Sequence, residues 1–596
     1  MRRGLATLAV LMAVAGTAAA VAGVAAPVAG AQYEDPVQPP PRAVERWRAL
    51  AREIAAPWPA LQERSGRLRD YMDERYGSRY GDATMGYALV RTGVREGNRR
   101  LIKTGLRAVT FATRKPRVQS SFENFAVAAA YNVARARAAQ FKDFRRNRAE
   151  WERWMRRSRT TRVHLVRSEF GNHWLIDALA VMELRRAGIR SQASSDAAMR
   201  LARRLIEVQV PRRVRAVGTL LSDPPDEPLA YHGLSAGFYA RAVQLLGRSA
   251  GGAARSTLRR LVRTAAYLTA PDGDTAYWGR SLQHVWSPAA TAFAAEAASA
   301  QPGVRGSERA ANRALAERTV ERVAREHPVG PRGQWIAPAL AQDLGAGRRA
   351  LEGYAAAPAM SGLALAMLNW AIDVAPSKRK ASRLPADASF ARLLSRGSGR
   401  FAVVRHGPVW FAVKAVHAGR DYSRDDLRYA PGLVNAKLRA SGGAWFDLVP
   451  QRPPLAGRAP VTTGPVLNGG GQPAGERLRL GRDGRVTLTG AYRTRGGRVL
   501  RRASWDYTPV RCGVRLSFRA RAGDSYSLTA FFRAGRPKIG PKSASDGQQR
   551  VTVTPRPSSM RLAKGTVASA RDARLHRLKI RVRASRARAV RVTYCG

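Results

Sequence analysis

Cysteine, histidine and acidic residues are scarce in this 596-residue chain, which has 2 cysteines, 8 histidines and 43 Asp plus Glu against 103 Lys plus Arg. Two cysteines without an accompanying histidine and cysteine cluster argue against a structural zinc site. The phosphate-loop pattern G-x-x-x-x-G-K-[ST] and the zinc-protease pattern H-E-x-x-H are also absent. We therefore expect no metal ion and no cofactor.

Long apolar runs are missing outside the N-terminus. Arg2 and Arg3 precede an Ala, Val and Leu run that ends at Ala29-Gly30-Ala31, which is the charge, core and cleavage pattern of a secretory signal peptide. We assign residues 1–31 to this peptide, and an uncleaved membrane anchor is the alternative. No later stretch has about twenty uncharged apolar residues. The sequence thus predicts a secreted, extracellular or cell-wall-associated protein with no membrane span after signal removal.

The two cysteines, Cys512 and Cys595, both lie in the last part of the chain. An exported protein meets oxidising conditions, in which such a pair forms a disulfide. We expect one bond that ties the C-terminus to an earlier strand.

The formal net charge of +60 favours a polyanionic partner. Arginine far outnumbers lysine in an Ala- and Gly-rich chain, so biased composition accounts for part of this excess. The basic residues occur in every segment, which excludes a disordered nucleic-acid-binding arm. Anionic polysaccharide, cell-wall polymer and nucleic acid all satisfy the charge, while the oligomeric state is left open.

The hydrophobic pattern changes once along the chain. Apolar residues at helical spacing recur from about Pro40 to Val374, with breaks rich in Gly, Pro and Asp. Alternating segments such as Val409–Val413 and Val514–Phe518 follow, and these are typical of strands. We predict an α+β multidomain protein with a helical domain at 32–375, a linker at 376–386 and an antiparallel β domain at 387–596.

Three polar clusters at the starts of apolar segments are candidate functional sites. The first is Gly171-Asn172-His173-Trp174, where an apolar helix begins. A helix N-terminus favours an anion, so Asn172 and His173 could meet a substrate carboxylate. The alternative is a capping Asn beside a packed histidine.

The second cluster runs from Asp226 to Tyr239. His232 and Tyr239 are seven residues apart, so they share one helix face and could offer a base and an acid to one cleft. Tyr231 and Ser235 lie on a neighbouring face. The alternative is a set of core aromatics with a hydrogen-bonded His232.

The third cluster runs from Asp272 to Trp286 and contains Trp278, Arg280, Gln283 and His284. Aromatic faces stack on sugar rings and Arg pairs with carboxylates, so this segment could form a sugar-binding surface. The alternative is a capped loop with an Asp-Gly turn and buried tryptophans.

Together the three clusters resemble the heparinase II/III-like polysaccharide lyases and related alginate lyases. The order Asn172, His232, Tyr239, Arg280 is also similar to the hyaluronate and chondroitin lyase family. The resemblance implies an incomplete (α/α) toroid followed by antiparallel β-sheets in a β-sandwich domain, and β-elimination on a uronate-containing polysaccharide. It also favours an anionic polysaccharide over specific nucleic acid as the partner.

The resemblance implies roles for these residues. Asn172, with His173 and Arg280, neutralises the uronate carboxylate. Tyr231 or Tyr239 acts as general acid, or as base if a neighbouring Arg lowers its pKa, and His232 is the alternative base. We assign Trp174, Trp278, Gln283 and His284 to substrate binding.

One departure from the family is clear, because no His-x-His-x-Asp segment occurs early in the β domain. His406 and His417 stand nearby without the matching neighbours. This argues against a two-histidine mechanism and a β-domain metal, and it leaves open a protein that binds without cleaving.

Two other enzyme classes have candidate residues in the sequence. A glycoside hydrolase could draw its carboxylate pair from Asp226, Glu227, Asp272 and Asp274. The segment Gly233–Gly237 matches G-x-S-x-G, but a nucleophile elbow needs a preceding strand, and this match is expected to be chance.

Overall fold

The computed structural model describes residues 43–72, 80–114, 120–159, 171–216, 220–221, 228–376, 380–394, 400–415, 426–454, 463–467, 470–494 and 496–596. Its long helices end at Val374 and its sheets begin at Phe390. The predicted order of helices followed by antiparallel strands is confirmed. The predicted signal peptide lies outside the described residues, and the predicted domain boundaries stay predictions.

Six helices of the described chain are apolar and buried on nearly every side, and they form an inner ring. They are α2 (Gly81–Glu96), α4 (Ser121–Arg135), α6 (Gly171–Arg186), α9 (Leu229–Leu246), α11 (Trp286–Ser299) and α15 (Ala357–Val374). Each packs against the next, and α15 packs against α2. Among the described helices, α15 alone is long and apolar enough to cross a membrane, and it is buried in this ring.

Amphipathic helices cover the outside of the ring and turn their arginines to solvent. They are α1 (Ala43–Ala55), α3 (Arg99–Arg114), α5 (Lys142–Arg156), α7 (Asp196–Arg204), α10 (Gly252–Leu268) and α12 (Gly306–Glu326). Shorter helices are α8 (Val210–Ala216), α13 (Pro338–Gln342) and α14 (Leu344–Arg349), and a π-helical turn, Leu205–Gln209, joins α7 to α8. Because α3 packs on α2, α7 on α6, α10 on α9 and α12 on α11, the helical region is a two-layered toroid.

The inner helices begin at the same end of the ring. The Phe122 ring at the start of α4 stacks on Tyr80, just before α2, at 4.8 Å, and meets His173 at the start of α6 at 6.2 Å. Tyr231 at the start of α9 lies 5.3 Å from Trp286, the first residue of α11, whose indole N–H points to the first turn of α15. A helix N-terminus carries partial positive charge, so this end of the ring is electropositive.

The strands after the ring form three antiparallel sheets. The five-stranded sheet has the order β3 (Phe390–Leu394), β4 (Phe401–His406), β5 (Val409–Lys414), β6 (Gly432–Arg439) and β7 (Trp445–Val449). The eight-stranded sheet has the order β14 (Lys538–Ile539), β15 (Ser543–Ser545), β16 (Arg550–Thr554), β19 (Arg588–Cys595), β12 (Gly513–Ala520), β11 (Val499–Val510), β10 (Val486–Arg493) and β9 (Gln472–Leu480). The four-stranded sheet has the order β17 (Ser559–Val567), β18 (Leu575–Arg583), β13 (Ser525–Phe532) and β8 (Val466–Leu467). A hairpin of β1 (Val329–Gly330) and β2 (Gly333–Gln334) follows α12.

Both faces of the five-stranded sheet are buried. Side chains alternate along a strand, so Val403 and Trp410 face the helices while Val404 and Phe411 face the other two sheets. The Trp410 ring lies 5.4 Å from that of Tyr277, which belongs to the helical region. This sheet is therefore the layer that joins the toroid to the β-sandwich.

A buried ion cluster also crosses this junction. Lys437 Nζ on β6 lies 2.9 Å from Asp272 Oδ2 of the helical region and 2.5 Å from Asp447 Oδ1 on β7. Arg322 on α12 lies 3.1 Å from Asp272, and Arg571 lies 3.0 Å from Asp447. Burial alone raises the pKa of a carboxyl group, but Lys437, Arg322 and Arg571 hold the pKa of Asp272 well below its usual value. The cluster is a charged clamp between the toroid and the sheets.

The expected disulfide is present between Cys512 and Cys595. Cys512 lies in the turn between β11 and β12, and Cys595 ends β19, directly opposite Gly513. The bond ties the C-terminal strand to the middle of the eight-stranded sheet.

Lys437→Met should destabilise the protein strongly, because it leaves Asp272 and Asp447 buried without their shared cation. Removing one partner of a buried ion pair costs about 3–5 kcal/mol. The free energy of unfolding in urea measures this cost. Lys579→Met, at an exposed position on β18, is the matched control. Adding Asp447→Asn to Lys437→Met should restore part of the loss, and equal stability of the two lysine variants would contradict the clamp.

Candidate functional site

Three hydroxyl groups meet at the electropositive end of the ring. The Tyr231 hydroxyl lies 2.8 Å from the Tyr354 hydroxyl and accepts a hydrogen bond of 3.4 Å from Ser281 Oγ. Ser281 also contacts the Tyr354 hydroxyl. Tyr231 is 7% exposed and Tyr354 is 43% exposed, so Tyr354 is the one of the two tyrosines that presents surface to solvent.

A tight turn between Trp278 and α11 carries Arg280 and Ser281 into this site. Gly279 has a φ of +83°, and a Cβ there would lie 2.5 Å from Pro228 Cβ, so only glycine lets the turn approach the start of α9. Ser281 itself has a φ of 56°. The turn thus places two polar side chains beside Tyr231.

Arg280 places a positive charge against the tyrosines. Its Cζ lies 4.8 Å from the centroid of the Tyr231 ring. Its backbone N–H donates to the Tyr429 hydroxyl at 3.1 Å. Tyr429 belongs to the 3₁₀ turn Leu427–Tyr429 before β6, so the sheet region contributes to this end of the ring.

Glu352 is the anionic centre of the site. The Ser281 N–H donates to Glu352 Oε1 at 2.7 Å, and His284 Nε2 lies 3.4 Å from Glu352 Oε2. Arg428 also pairs with Glu352 and with Asp426. Burial alone raises a carboxyl pKa, but the hydrogen bond with His284 and the charge of Arg428 hold the pKa of Glu352 well below its usual value. Glu352 is therefore an ionised anchor for the turn.

Tyr354 is set to hold its proton. Burial of the hydroxyl end raises its pKa well above the usual value, and the neighbouring Tyr231 and Glu352 raise it further. A hydroxyl that stays protonated suits a general acid.

The first predicted cluster borders this site. Asn172 is buried in the first turn of α6, and His173 is half-buried with its ring against Phe122. Tyr80 stacks on Phe122, and burial together with the nearby Tyr231 raises its pKa. A row of aromatic rings therefore connects His173 to Tyr80. Trp174 is half-buried, with Arg213 Cζ 5.7 Å from its ring centroid.

Two residues of the second cluster lie away from the candidate site. His232 is 3% exposed; its Nδ1 accepts from the Leu221 N–H at 3.1 Å and its Nε2 donates to the Leu261 carbonyl at 3.2 Å. The Tyr239 hydroxyl donates to the Ile206 carbonyl at 2.8 Å, and the residue is fully buried. Both side chains are saturated inside the helical layers, which is the alternative that the sequence had left open. Among the described residues of this cluster, Tyr231 is the one that reaches the site.

The third cluster divides in the same way. Trp278 is 1% exposed and packs edge-on against Phe401 and Tyr429, so neither face is free to stack on a sugar. Gln283 is buried and donates to Asp274 at 2.9 Å. His284 is fully buried behind Glu352. Of the predicted site residues in this cluster, Arg280 reaches the tyrosines together with the neighbouring Ser281, while His284 acts on the site through Glu352.

Sequence reasoning missed Tyr354, Glu352, Ser281 and Arg428. Glu352-Gly353-Tyr354 stands just before the apolar helix α15, as Tyr231 stands at the start of α9. The same rule, polar and aromatic residues where an apolar helix begins, could have found this pair. Arg428 had no comparable signal, because its contact joins positions 76 residues apart.

The residues that other catalytic mechanisms would use do not form a second candidate site among the described residues. Asp272 and Asp274 are buried in the ion cluster, which excludes them as an accessible carboxylate pair. Asp226, Glu227 and His417 lie outside the described residues. His406 is exposed at the end of β4, and Ser235 of the G-x-S-x-G match is buried inside α9. Within the described part of the chain, no group of three or more His, Cys, Asp or Glu side chains is arranged to hold a metal ion.

No family model and no curated protein matches the chain. Among solved structures it is similar to a Streptomyces coelicolor A3 chondroitin AC lyase, at 13% identity and a TM-score of 0.48 over 94% of this chain and 80% of that one. It is similar to a heparan sulfate lyase, HepC, from Pedobacter heparinus, at 10% identity and a TM-score of 0.48 over 93% and 87%. An α-1,6-mannanase from Salegentibacter is similar over 55% of this chain and 99% of its own, at 11% identity and a TM-score of 0.35.

His232 should make stability fall as the pH decreases. Burial lowers its pKa from 6.5 to about 4, despite hydrogen bonds to Leu261 and Leu221. Between these values the unfolded chain binds a proton that the folded chain does not. The contribution of neutral His232 to the free energy of unfolding is therefore fully present above pH 6.5, and it is lost as the pH falls towards 4. The slope is about 1.4 kcal/mol per pH unit for one such group.

Urea unfolding between pH 7 and pH 5 measures this slope, and His232→Gln should reduce it by about one proton. Tyr239→Phe is the control, since it removes a buried hydrogen bond without removing a group that titrates in this range. An identical slope in wild type and His232→Gln would show that His232 does not titrate as its burial requires.

Proposed function

We propose that the protein is a secreted polysaccharide lyase that cleaves an acidic, uronate-containing polymer by β-elimination. The observation that carries this proposal is the hydrogen-bonded pair of Tyr231 and Tyr354, with Arg280 beside it, at the electropositive end of the ring. The pair offers two proton-transfer groups within 2.8 Å of each other and a cation for a substrate carboxylate.

The electrostatics of this end favour an acidic polymer. Six inner helices direct their N-termini to it, and backbone N–H groups at such ends attract anions. Arg280 is half-buried, which strengthens its interaction with a carboxylate relative to a fully solvated arginine. The net charge of +60 draws polyanions toward the whole molecule.

The elimination needs a base, an acid and neutralisation of the uronate. Arg280, with Asn172 and His173 at the start of α6, pairs with the carboxylate and so stabilises the negative charge that develops next to it. Tyr231, as the phenolate that the charge of Arg280 stabilises, removes the proton on the carbon that bears the carboxylate and becomes a neutral phenol. The bond from the neighbouring carbon to the glycosidic oxygen then breaks, and Tyr354 donates its proton to that oxygen.

The return of the proton completes the cycle. The Tyr231 hydroxyl holds the proton taken from the sugar, and the Tyr354 phenolate recovers one across their 2.8 Å hydrogen bond. This transfer returns Tyr231 to the phenolate and Tyr354 to its protonated form, so no proton is gained or lost over the cycle. Neither step needs a metal ion or a cofactor.

Glu352 is a positioning residue in this scheme. It receives the Ser281 N–H and pairs with His284 and Arg428, so it holds the turn that carries Arg280 and Ser281. Arg428 belongs to the sheet region, which closes one side of the cleft through it and Tyr429. The secreted location rests on the N-terminal sequence pattern and suits a polymer found outside the cell.

Tyr231→Phe and Tyr354→Phe should each lower the turnover number by at least about a hundredfold, because each removes a proton-transfer group. Elimination creates an unsaturated uronate, so ultraviolet absorbance during incubation with a panel of acidic polysaccharides measures turnover. Tyr239→Phe is the matched control, since its hydroxyl is buried against the Ile206 carbonyl. Its turnover should equal that of the wild type.

The same assay separates the rival functions. Release of reducing ends without absorbance indicates a glycoside hydrolase, and binding without either signal indicates a non-catalytic binding protein for an anionic wall polymer. Either result contradicts the lyase proposal, as does full turnover in both tyrosine variants.

A further inference from the structure

The eight-stranded sheet carries a broad groove across β9 to β12, and no residue that lines it belongs to the tyrosine site. Its cavity volume is 1210 Å³, and six arginines line it: Arg400, Arg477, Arg501, Arg502, Arg519 and Arg521. Glu476 is the acidic residue among the lining side chains. We call this the arginine groove.

Part of this charge is already neutralised. Arg502 and Arg493 both pair with Glu476, at 3.4 and 2.8 Å, and Arg501 lies 2.8 Å from Asp524. Arg477, Arg519 and Arg521 are exposed, and their guanidinium groups have no carboxylate within 4 Å among the residues that the structure describes, although the Arg521 backbone N–H donates to Asp524 at 2.7 Å. Three guanidinium groups in the groove therefore remain available to a ligand.

The strand register arranges these groups in a row. Arg477 on β9, Thr489 on β10 and Ser504 on β11 are direct cross-strand neighbours. Arg519 follows Phe518, the partner of Trp505, and so lies beside Ser504 on β12. Neighbouring strands are about 4.8 Å apart, so the row spans about 14 Å between its two arginines. Hydroxyl groups form its centre and cations its ends.

We infer that the arginine groove is a second binding site for an acidic polysaccharide, distinct from the tyrosine cleft. This inference rests on the proposed function for the identity of the polymer. Carboxylate or sulfate groups pair with the guanidinium groups, and the sugar hydroxyls bond to Thr489 and Ser504. Holding the same chain at two places raises its residence on the enzyme.

The lining favours a carbohydrate over a single-stranded nucleic acid. Sites that bind single strands combine a basic groove with aromatic rings on which bases stack. The aromatic residues that line this groove, Tyr492 and Phe518, are 1% and 5% exposed. Neither ring is available for stacking, whereas the exposed surface is arginine and hydroxyl.

Binding of the full-length chain to fluorescent polygalacturonate and heparin at physiological salt tests the inference, in a Tyr231→Phe background that prevents cleavage. The groove variant is a triple variant with the substitutions Arg477→Gln, Arg519→Gln and Arg521→Gln. It should bind the polymers at least about tenfold more weakly, since it loses three ion pairs with the anionic groups of the polymer. The matched control carries Arg550→Gln, Arg561→Gln and Arg581→Gln, which removes the same charge from exposed strand positions outside the groove. It should weaken binding less than about threefold.

The outcomes separate this inference from the proposed function. Equal binding by the two triple variants would overturn the inference that the arginine groove binds the polymer, whether or not the enzyme cleaves it. The inference is also overturned if the protein binds single-stranded poly(dT) more tightly than either polysaccharide and the groove variant loses this binding. With Tyr231 intact, the groove variant should cleave a short oligosaccharide at the wild-type rate and show a raised KM for the long polymer. If the lyase assay gives no signal but the groove variant still loses polymer binding, the proposed function is contradicted and the groove inference is not.

Discussion

The buried ion cluster around Lys437 is the interaction on which the rest of the structure depends. Lys437 lies on the five-stranded sheet and Asp272 in the helical region. Arg571 lies much later in the sequence, between β17 and β18. Charges in a dry interior tolerate little displacement, because an unpaired one is very costly. The cluster therefore fixes where the sheet lies against the toroid. Arg428 and Tyr429, a few residues before β6, reach Glu352 and Arg280 only in that arrangement.

The candidate site follows from two further constraints. The ring gathers the N-termini of its inner helices at one end, so polar residues that begin those helices converge although they are far apart in sequence. The turn at Gly279 then inserts Arg280 and Ser281 between Tyr231 and Glu352. Burial, with Tyr231 and Glu352 nearby, keeps Tyr354 protonated, while His284 and Arg428 keep Glu352 ionised. Glu352 therefore holds the turn as an anion, while Tyr354 keeps its proton.

The fold could be predicted from the sequence largely because both periodicities are strong. Apolar residues at helical spacing end near Val374, and alternating segments such as Val409–Val413 lie inside strands. The disulfide followed from the number of cysteines and the predicted export signal. Of the candidate site, Tyr231 and Arg280 were found because each stands at a visible break in the pattern. His232, Tyr239 and Trp278 belong to the same breaks, but whether such a side chain faces a cleft or a core depends on tertiary packing. Glu352 and Arg428 act through contacts between distant segments, which periodicity does not encode.

A structure of the Tyr231→Phe variant with a bound uronate oligosaccharide tests the central claim most directly. The account predicts a uronate carboxylate within hydrogen-bond distance of Arg280, and a glycosidic oxygen within about 3.2 Å of the Tyr354 hydroxyl. A sugar chain bound only away from these residues would contradict it.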